Sequence, residues 1–588
     1  EILALNKIYG TDFNLSKFPG FSEAGIFIQT MHSPVGAYNY HDAWESTEFS
    51  PYPVPFFGVY FNQPELLAAR KMAITKALDG MTAAKPTIFD ALLYRSDINI
   101  NDVTKLPRVH VARGLESFAV HENYLDFNGL FLACHAGPVT TYHSQNDNGD
   151  FVLDLLGERW ACALPPEDYN SSLSNSEKYR YRTEGHNTVT LNNGPTLNQL
   201  GGTFAPIIKW EENTGGAYCV YDMSEMYADA DEYLRGFYVG DNYRSVTIRD
   251  EFKLNKDTEI YWFMHTTAQA FVIDKNTVLL SKNGKSVVLT FKTNAPSSNV
   301  SIMDAVPLPS SPKGEGQNPN NGYRKVAIRL NGKGDIDLSV RISEFKEEIN
   351  IGPISEWVAP EKTPDSQKVD YGFTMKINGI VSENKTYIPV LSEDKLPKLE
   401  FMPNDPTNHI EAEISNDIHK ANIIRVYNNT KTMYKLYMIP YDTTQGIKEH
   451  YYNELEIKNF EVSSEPEPAN IGINMFDNDF TTRWTVLSTG EWAVFDLGEV
   501  VDVDAIAAAF WLGNVRIYSC ELYFSEDGIH YTHFKDIKSS GLTEDYEVYK
   551  FDRIKARFIK LVGQGNSANV NTNILELRIL QLKEEFVQ

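Results

Sequence analysis

A dense group of polar residues between positions 142 and 193 offers acid–base chemistry. It reads "YHSQNDNGDFVLDLLGERWACALPPEDYN" and then "KYRYRTEGHNTVTLNN", with His, Asn, Asp and Tyr placed at turns between strand-like runs. Imidazole and phenol groups transfer protons, and His, Arg and Asn side chains donate hydrogen bonds to anions. These residue types predict a site for an anionic ligand.

The segment "EKYRYRTEGH" alternates cationic and aromatic residues. If it is a strand, one face carries the cationic residues Lys178, Arg180, Arg182 and His186, and the other face carries Tyr179 and Tyr181. A cationic strip beside aromatic rings suits an anionic sugar chain. A solvated face opposite a packed face is the alternative interpretation.

Four regions would position these residues. Residues 1–107 are predicted to be helical, because "PELLAARKMAITKALDGM" repeats its apolar residues at helical spacing and ends at a glycine. Over 108–350 the apolar residues recur at every second position instead, which predicts a large antiparallel β-sandwich. A small β domain is expected over 351–456, and a separate unit over 457–588. The fold class is therefore a multidomain α+β assembly.

Three blocks in the second region resemble the heparinase II/III-like polysaccharide lyases. The matching residues are His143, Asp147, Gly149 and Phe151, then Gly157, Arg159, Trp160 and Ala161, then Glu184, Gly185, His186, Asn187 and Thr188. The loop "SPVGAYNYHDAWES" resembles one late in that family's α/α toroid. The resemblance implies that residues 1–107 are the end of such a toroid.

The resemblance also implies a reaction and a site. Members of the family cleave uronic-acid polysaccharides by β-elimination, which requires neutralisation of the uronate carboxylate, a base for the C5 proton and an acid for the leaving oxygen. By this resemblance His143 faces the sugar in a cleft beside the toroid, with His186 close to it and Asn39 and Tyr40 projecting toward the same cleft. A histidine that only stabilises a loop is the alternative.

Many relatives hold a structural zinc ion with three side chains that correspond to Gln145, Ala163 and His186 here. Alanine offers no ligand atom, and Gln with a single His is a poor Zn²⁺ site. We therefore expect no zinc at these residues. If zinc were bound there, Asp147 or Asp168 would have to replace a missing ligand.

The last 130 residues resemble discoidin-like modules of the coagulation-factor type C family in "NMFDNDFTTRW", "EWAVFDLGEVVDVDAIA" and "YFSEDGIHYT". Such a module is a jelly roll that binds sugars, with Trp511, Tyr518 and Tyr531 as candidate rings. The resemblance implies a structural Ca²⁺ ion held by oxygens of Asp477, Asp479, Thr482 and Glu576. A turn cluster without a metal is the alternative.

Net charge and composition limit the kinds of partner that this protein can bind. The formal net charge of −25 argues against nucleic acid and anionic membranes, which need a broad basic surface. The sequence contains no apolar run long enough to span a membrane. The four cysteines are scattered, so neither a zinc ribbon nor a disulfide scaffold is predicted.

The sequence thus predicts a secreted or periplasmic bacterial lyase for a uronic-acid glycan, either a glycosaminoglycan or an alginate-like polymer. A noncatalytic glycan-binding protein is the main alternative, and a hydrolase using Glu167 and Asp168 is a weaker one. The resemblance places the family's main base on earlier toroid helices, and Glu1 is not an initiator residue, so we expect an N-terminal toroid region of the same protein to be missing here. We therefore expect little activity from this chain alone and activity from the full-length protein. Otherwise the catalytic roles pass to His143, Tyr169, Tyr179 or the loop around Tyr40.

Overall fold

The computed structural model describes most of the chain. The described residues are 2–43, 46, 49–51, 53–78, 84–139, 143–165, 173–312, 314, 316–363, 369–382, 385–389, 396–418, 420–442, 452–541 and 543–584. The chain divides into two compact units, the first comprising Glu1–Asp370 with Tyr427–Leu436 and the second Tyr371–Val426 with Tyr437–Gln588. The predicted division into four regions stays a prediction.

Helices lie mainly at the start of the first unit. They are α1 (Ile2–Tyr9), α2 (Ala24–Thr30), α3 (Val54–Tyr60), α4 (Pro64–Leu78) and α5 (Ile88–Leu92). Short 3₁₀ helices cover Leu15–Lys17, Ile100–Lys105, Tyr179–Tyr181, Thr183–Gly185, Ser224–Met226, Ile354–Glu356 and Gly472–Phe476. The helix predicted from "PELLAARKMAITKAL" is confirmed as α4, whose Leu66, Leu67 and Met72 are buried. None of the described helices is long and apolar enough to cross a membrane.

Strands of the first unit follow the helices. They are β1 (Val109–Ala112), β2 (Ser117–His121), β3 (Phe131–His135), β4 (Gly137–Pro138), β5 (Phe151–Leu155), β6 (Glu158–Ala161), β7 (Val189–Leu191), β8 (Phe204–Ala205), β9 (Ile207–Asn213), β10 (Gly216–Asp222), β11 (Ala230–Gly240), β12 (Ser245–Thr266), β13 (Gln269–Asp274), β14 (Thr277–Lys282), β15 (Lys285–Thr293), β16 (Ser297–Asp304) and β17 (Arg324–Ser343).

Apart from β4 and β8, which pair with each other, these strands form two antiparallel sheets that share one core. The five-stranded sheet has the order β1-β2-β3-β5-β6, and the larger sheet has the order β13-β14-β15-β17-β12-β11-β10-β9. Leu132 and Leu153 of the first sheet belong to the same buried cluster as Trp262 and Ile328 of the second. The predicted β-sandwich is therefore present.

The five-stranded sheet is covered on its other face too. Phe131 and Ala133 of β3 alternate with the core residues and pack against Met31 and Tyr38 from the segment after α2. Because side chains of a strand alternate between faces, His135 lies on this second face. The sheet thus brings a histidine to the polar loop that follows α2.

Strands of the remaining chain are β18 (Phe373–Ile377), β19 (Ile380–Ser382), β20 (Ile388–Pro389), β21 (Leu399–Pro403), β22 (His409–Glu413), β23 (Asn422–Tyr427), β24 (Tyr434–Ile439), β25 (Tyr441–Asp442), β26 (Tyr452–Leu455), β27 (Asn459–Val462), β28 (Trp484–Val486), β29 (Trp492–Phe510), β30 (Tyr518–Ser525), β31 (Thr532–Lys538), β32 (Glu547–Asn566) and β33 (Thr572–Leu582). Strands β26 to β33 form one eight-stranded sheet around a buried core that includes Trp484 and Phe495. The helices, the sandwich and this terminal β unit confirm the predicted multidomain α+β class.

Candidate functional site

Asp147 is the centre of a buried polar cluster in the first unit. Its Oδ2 accepts a hydrogen bond from the backbone N–H of His41 at 2.8 Å, and the His41 ring Nδ1 lies 3.0 Å from Oδ1. The Nε2 atom of His135 lies 3.3 Å from Oδ2. Asp147 and His135 are buried, whereas the His41 side chain is 24% exposed. The loop after α2, strand β3 and the turn before β5 each supply one residue.

The titratable groups in and around this cluster have shifted pKa values. Burial alone would raise the pKa of Asp147, but His41 and His135 hold that pKa well below its ordinary value. Burial, with the charge of Asp147, raises the pKa of the nearby Asp150 to about 6. The pKa of His135 is raised because the attraction of Asp147 exceeds the burial penalty.

His143 lies beside this cluster and is the exposed histidine of the region. Its Nδ1 is 3.0 Å from Oδ2 of Asp42, and the side chains are 66% and 3% exposed, respectively. Its φ of 69° is in the left-handed region, which a β-carbon disfavours. A buried carboxylate from the loop after α2 thus orients an imidazole that faces solvent.

His186 lies deeper and is bonded to a cation. Arg180 Nη1 donates to its Nδ1 at 2.8 Å, and Arg180 Nη2 donates to the carbonyls of His41 and Asn39 at 3.1 and 3.3 Å. Burial, followed by the Arg180 charge, lowers the pKa of His186 to about 3. His186 is therefore a neutral, buried ring in this structure.

The predicted strand over "EKYRYRTEGH" is wrong. This segment forms the 3₁₀ helices Tyr179–Tyr181 and Thr183–Gly185, because Gly185 folds back against the Tyr179 carbonyl, where a β-carbon would come within 2.2 Å. No cationic strip forms. Lys178, Arg180 and Arg182 are all buried.

The buried side chains of this segment bond to other protein groups. Arg182 Nε donates to Glu184 at 2.7 Å. The Tyr179 hydroxyl lies 2.8 Å from His265 Nε2 and accepts from Lys325 Nζ at 2.9 Å, and burial raises its pKa far above the ordinary value. This geometry gives no support to substrate contact by Tyr179, Arg180 or Arg182.

The remaining predicted residues lie around the same loop. Asn39 is buried and Tyr40 is partly buried, its ring centroid 4.7 Å from that of His135. Burial raises the pKa of Tyr40, which opposes its ionisation as a base. Tyr169, Glu167 and Asp168 lie outside the described residues.

The zinc site of the relatives does not fit these residues. Gln145 is buried beside Asp42, and Ala163 offers no donor. Because Arg180 donates to Nδ1 of His186, the neutral ring carries its proton on Nε2 and has no lone pair there for a metal. The prediction that zinc is not bound here stays a prediction.

Sequence reasoning missed His135 and the grouping of His41 with Asp147. Within the described residues, His41, His135 and Asp147 are the one group of three potential metal-ligating side chains whose ligand atoms all lie within 4.8 Å of one another. The available signal was the two-residue period of a strand over "FLACH", which places the histidine on the same face as Phe131 and Ala133.

In the second unit, the residues predicted to hold calcium lie in two neighbouring segments. Asp477 Oδ2 accepts from the Thr482 hydroxyl at 2.7 Å, and Asp479 Oδ1 accepts from the backbone N–H of Thr481 at 2.9 Å. Glu576 is buried, its Oε2 accepts from Arg578 at 2.9 Å, and its Oε1 has no hydrogen-bond partner among the described residues. Burial raises the pKa of Glu576, and Asp477 adds to this. These oxygens suit a hard cation, and the calcium site stays a prediction.

A second feature of this unit is a tryptophan between two arginines. The guanidinium carbons of Arg483 and Arg516 lie 4.2 and 4.9 Å from the centroid of the Trp511 ring. Among the described residues, neither arginine forms an ion pair. All three side chains are partly exposed. Tyr518, by contrast, is buried and donates to the Trp511 carbonyl.

Two family models match the chain. "Heparinase II/III-like, C-terminal" covers residues 117–350, and "F5/8 type C domain" covers residues 459–577. The chain therefore combines a heparinase II/III-like C-terminal domain with a discoidin-like domain, and the resemblance inferred from the motifs is confirmed.

Similar solved structures include two lyases and one sugar-binding module. Heparinase III is 14% identical, with 74% of this chain and 58% of that chain covered and a TM-score of 0.43. Heparan sulfate lyase HepC from Pedobacter heparinus is 14% identical, with coverages of 70% and 51% and a TM-score of 0.40. The CBM32 of AlyQ, in complex with 4,5-unsaturated mannuronic acid, is 30% identical, with coverages of 22% and 97% and a TM-score of 0.21. Among curated proteins, none matches significantly.

Proposed function

We propose that this protein is a polysaccharide lyase that cleaves a uronic-acid-containing glycan, either a glycosaminoglycan or an alginate-like polymer, by β-elimination. The observation that carries the proposal is the exposed His143 oriented by the buried Asp42, inside the region that matches the heparinase family model. Because a polymer of this kind does not cross a membrane, we also propose that the protein acts in the periplasm or outside the cell.

The proposed chemistry assigns His143 to the sugar. Proton transfer at C5 of a uronate requires a group within about 3 Å of the reacting atoms and a neutralised carboxylate. The Asp42 carboxylate accepts a hydrogen bond from Nδ1 of His143, which fixes the orientation of the ring. The imidazole then either transfers a proton or neutralises the uronate.

The test is release of unsaturated uronate from heparan, chondroitin, hyaluronan, alginate and ulvan. We expect the full-length protein to cleave one polymer, with His143→Asn lowering kcat/KM by at least about 100-fold, the usual scale for loss of an acid–base group. His530→Asn is the matched control, since His530 also bonds through Nδ1 to an aspartate but lies in the second unit. Absence of product with every polymer, or full activity of His143→Asn, would overturn the proposal.

The second candidate is a noncatalytic glycan-binding protein, and the Trp511 arrangement favours it. The two arginines, held against the indole ring, attract the carboxylate of a uronic-acid sugar. We expect Arg516→Gln to weaken binding of the anionic polymer more than tenfold, and added salt to weaken it further. Arg557→Gln is the control, because that arginine also lies over a ring but is paired with Asp496. Saturable binding without cleavage would favour this candidate over the lyase.

A further inference from the structure

We infer that His41, His135 and Asp147 bind one divalent transition-metal ion, at a place in the fold different from the zinc site of the relatives. The inference concerns metal binding alone and does not depend on the proposed lyase activity. Two imidazoles and one carboxylate are a donor set typical of zinc and other first-row metals. The harder ions Ca²⁺ and Mg²⁺ prefer oxygen donors throughout.

Spacing of the ligand atoms agrees with one metal between them. Zinc binds nitrogen and oxygen at about 2.0–2.2 Å, which places the ligand atoms of a tetrahedral site about 3.4 Å apart. The His41 Nδ1 and His135 Nε2 atoms lie 3.1 and 3.3 Å from the same oxygen, Oδ2 of Asp147. All three ligand atoms lie within 4.8 Å of one another, so side-chain rotations would bring them to this spacing.

The tautomer of His135 provides an independent observation. Its Nδ1 lies 3.1 Å from the carbonyl oxygen of Ala136, to which the neutral ring donates. Its Nε2 is buried and, apart from the Asp147 oxygen 3.3 Å away, has no hydrogen-bond partner among the described residues; in the neutral ring it carries a lone pair. Metal-binding histidines usually show this backbone hydrogen bond on the second nitrogen. A lone pair facing the Asp147 carboxylate requires a cation between them.

The charge balance around the cluster also favours a cation. Three carboxylates with buried side chains, those of Asp42, Asp147 and Asp150, act on the buried guanidinium of Arg180. The other buried guanidinium near Asp150, that of Arg235, is paired with Asp250. Asp150 Oδ2 has no hydrogen-bond partner among the described residues. Several like charges in a buried region are costly unless counterions neutralise them. A divalent ion at Asp147 supplies the missing positive charge.

Access to solvent leaves a place for an additional ligand. Asp147 and His135 are buried, but His41 is partly exposed, so the ion enters from the side of the loop after α2. Three protein ligands and one water complete a four-coordinate site. The competing explanation is a proton, with His135 doubly protonated and paired to Asp147.

The experiment measures zinc binding to the chelator-treated full chain, without glycan, by metal analysis and by competition with a chromophoric chelator. We expect about one Zn²⁺ per chain, with His41→Gln and Asp147→Asn each weakening binding more than tenfold. Cobalt in place of zinc should give the visible absorption of a tetrahedral site. His110→Gln is the control, because His110 is a partly buried histidine of the same unit outside the cluster.

His41→Gln decides the outcome if Asp147→Asn does not fold, since the His41 ring is partly exposed. Equal zinc binding by the wild type and His41→Gln would place the metal elsewhere and overturn the inference. Wild-type protein that retains no zinc, with no cobalt spectrum, would assign the cluster to a protonated His135 and also overturn it.

Discussion

The Nδ1 atom of His143 lies 3.0 Å from Oδ2 of Asp42, although 101 positions separate the two residues. The aspartate comes from the loop after α2, and the histidine comes from the turn before β5. A buried carboxylate thus holds an exposed imidazole in one orientation, as in other proton-transfer pairs.

Replacing Asp42 should therefore impair turnover without removing a group that contacts substrate. We expect Asp42→Asn to lower kcat at least about tenfold with little change in KM, because the neutral amide holds the imidazole less firmly in the orientation that proton transfer needs. An unchanged kcat in this variant would show that Asp42 only supports the loop.

Gly185 should not tolerate a side chain. A β-carbon at this position would lie 2.2 Å from the Tyr179 carbonyl oxygen, so we expect Gly185→Ala to lower the free energy of unfolding by about 1–3 kcal/mol. Gly201→Ala is the control, since a β-carbon there meets nothing within 4 Å. Chemical denaturation of both variants measures the difference, and equal stability would refute the folded-back geometry of this segment.

Lys325 should make stability depend on pH in the alkaline range. Burial lowers its pKa to about 8 from 10.5, so the folded state releases this proton before the unfolded state does. Between these pKa values stability rises with pH, and we expect a gain of about 2 kcal/mol from pH 7 to 9.5. The unfolding free energy of Lys325→Met, measured beside that of the wild type, should not show this gain with pH. The prediction would be contradicted if the unfolding free energies of the two proteins changed in parallel with pH.

Calcium should stabilise the second unit. Asp477 and the buried Glu576 repel each other, and a cation between them removes that repulsion. We expect about 1 mM Ca²⁺ to raise the melting temperature of this unit, and Asp477→Asn to abolish the increase. Asp527→Asn, at an exposed aspartate of the same unit, should retain it. If calcium leaves the melting temperature of the wild type unchanged, these residues form a turn cluster without an ion.

Local sequence patterns predicted much of the fold. The apolar repeat of α4 and the alternation in strands such as β3 depend on neighbours along the chain, and the three motif blocks pointed to the family model that matches residues 117–350. The alternation in 178–186 failed, because the close approach of Gly185 to the Tyr179 carbonyl outweighs the pattern of charged and aromatic residues.

The sequence by itself determined the helical start, the sandwich, the discoidin-like module and the family resemblance, because these follow from periodicity and contiguous motifs. Only the tertiary structure decided which polar residues meet. His41, His135 and Asp147 lie on three separate segments, and the packing of the loop after α2 against the second face of the five-stranded sheet brings them together. Burial and neighbouring charges then shifted their pKa values, since the pKa of a buried imidazole is raised beside Asp147 and lowered beside Arg180.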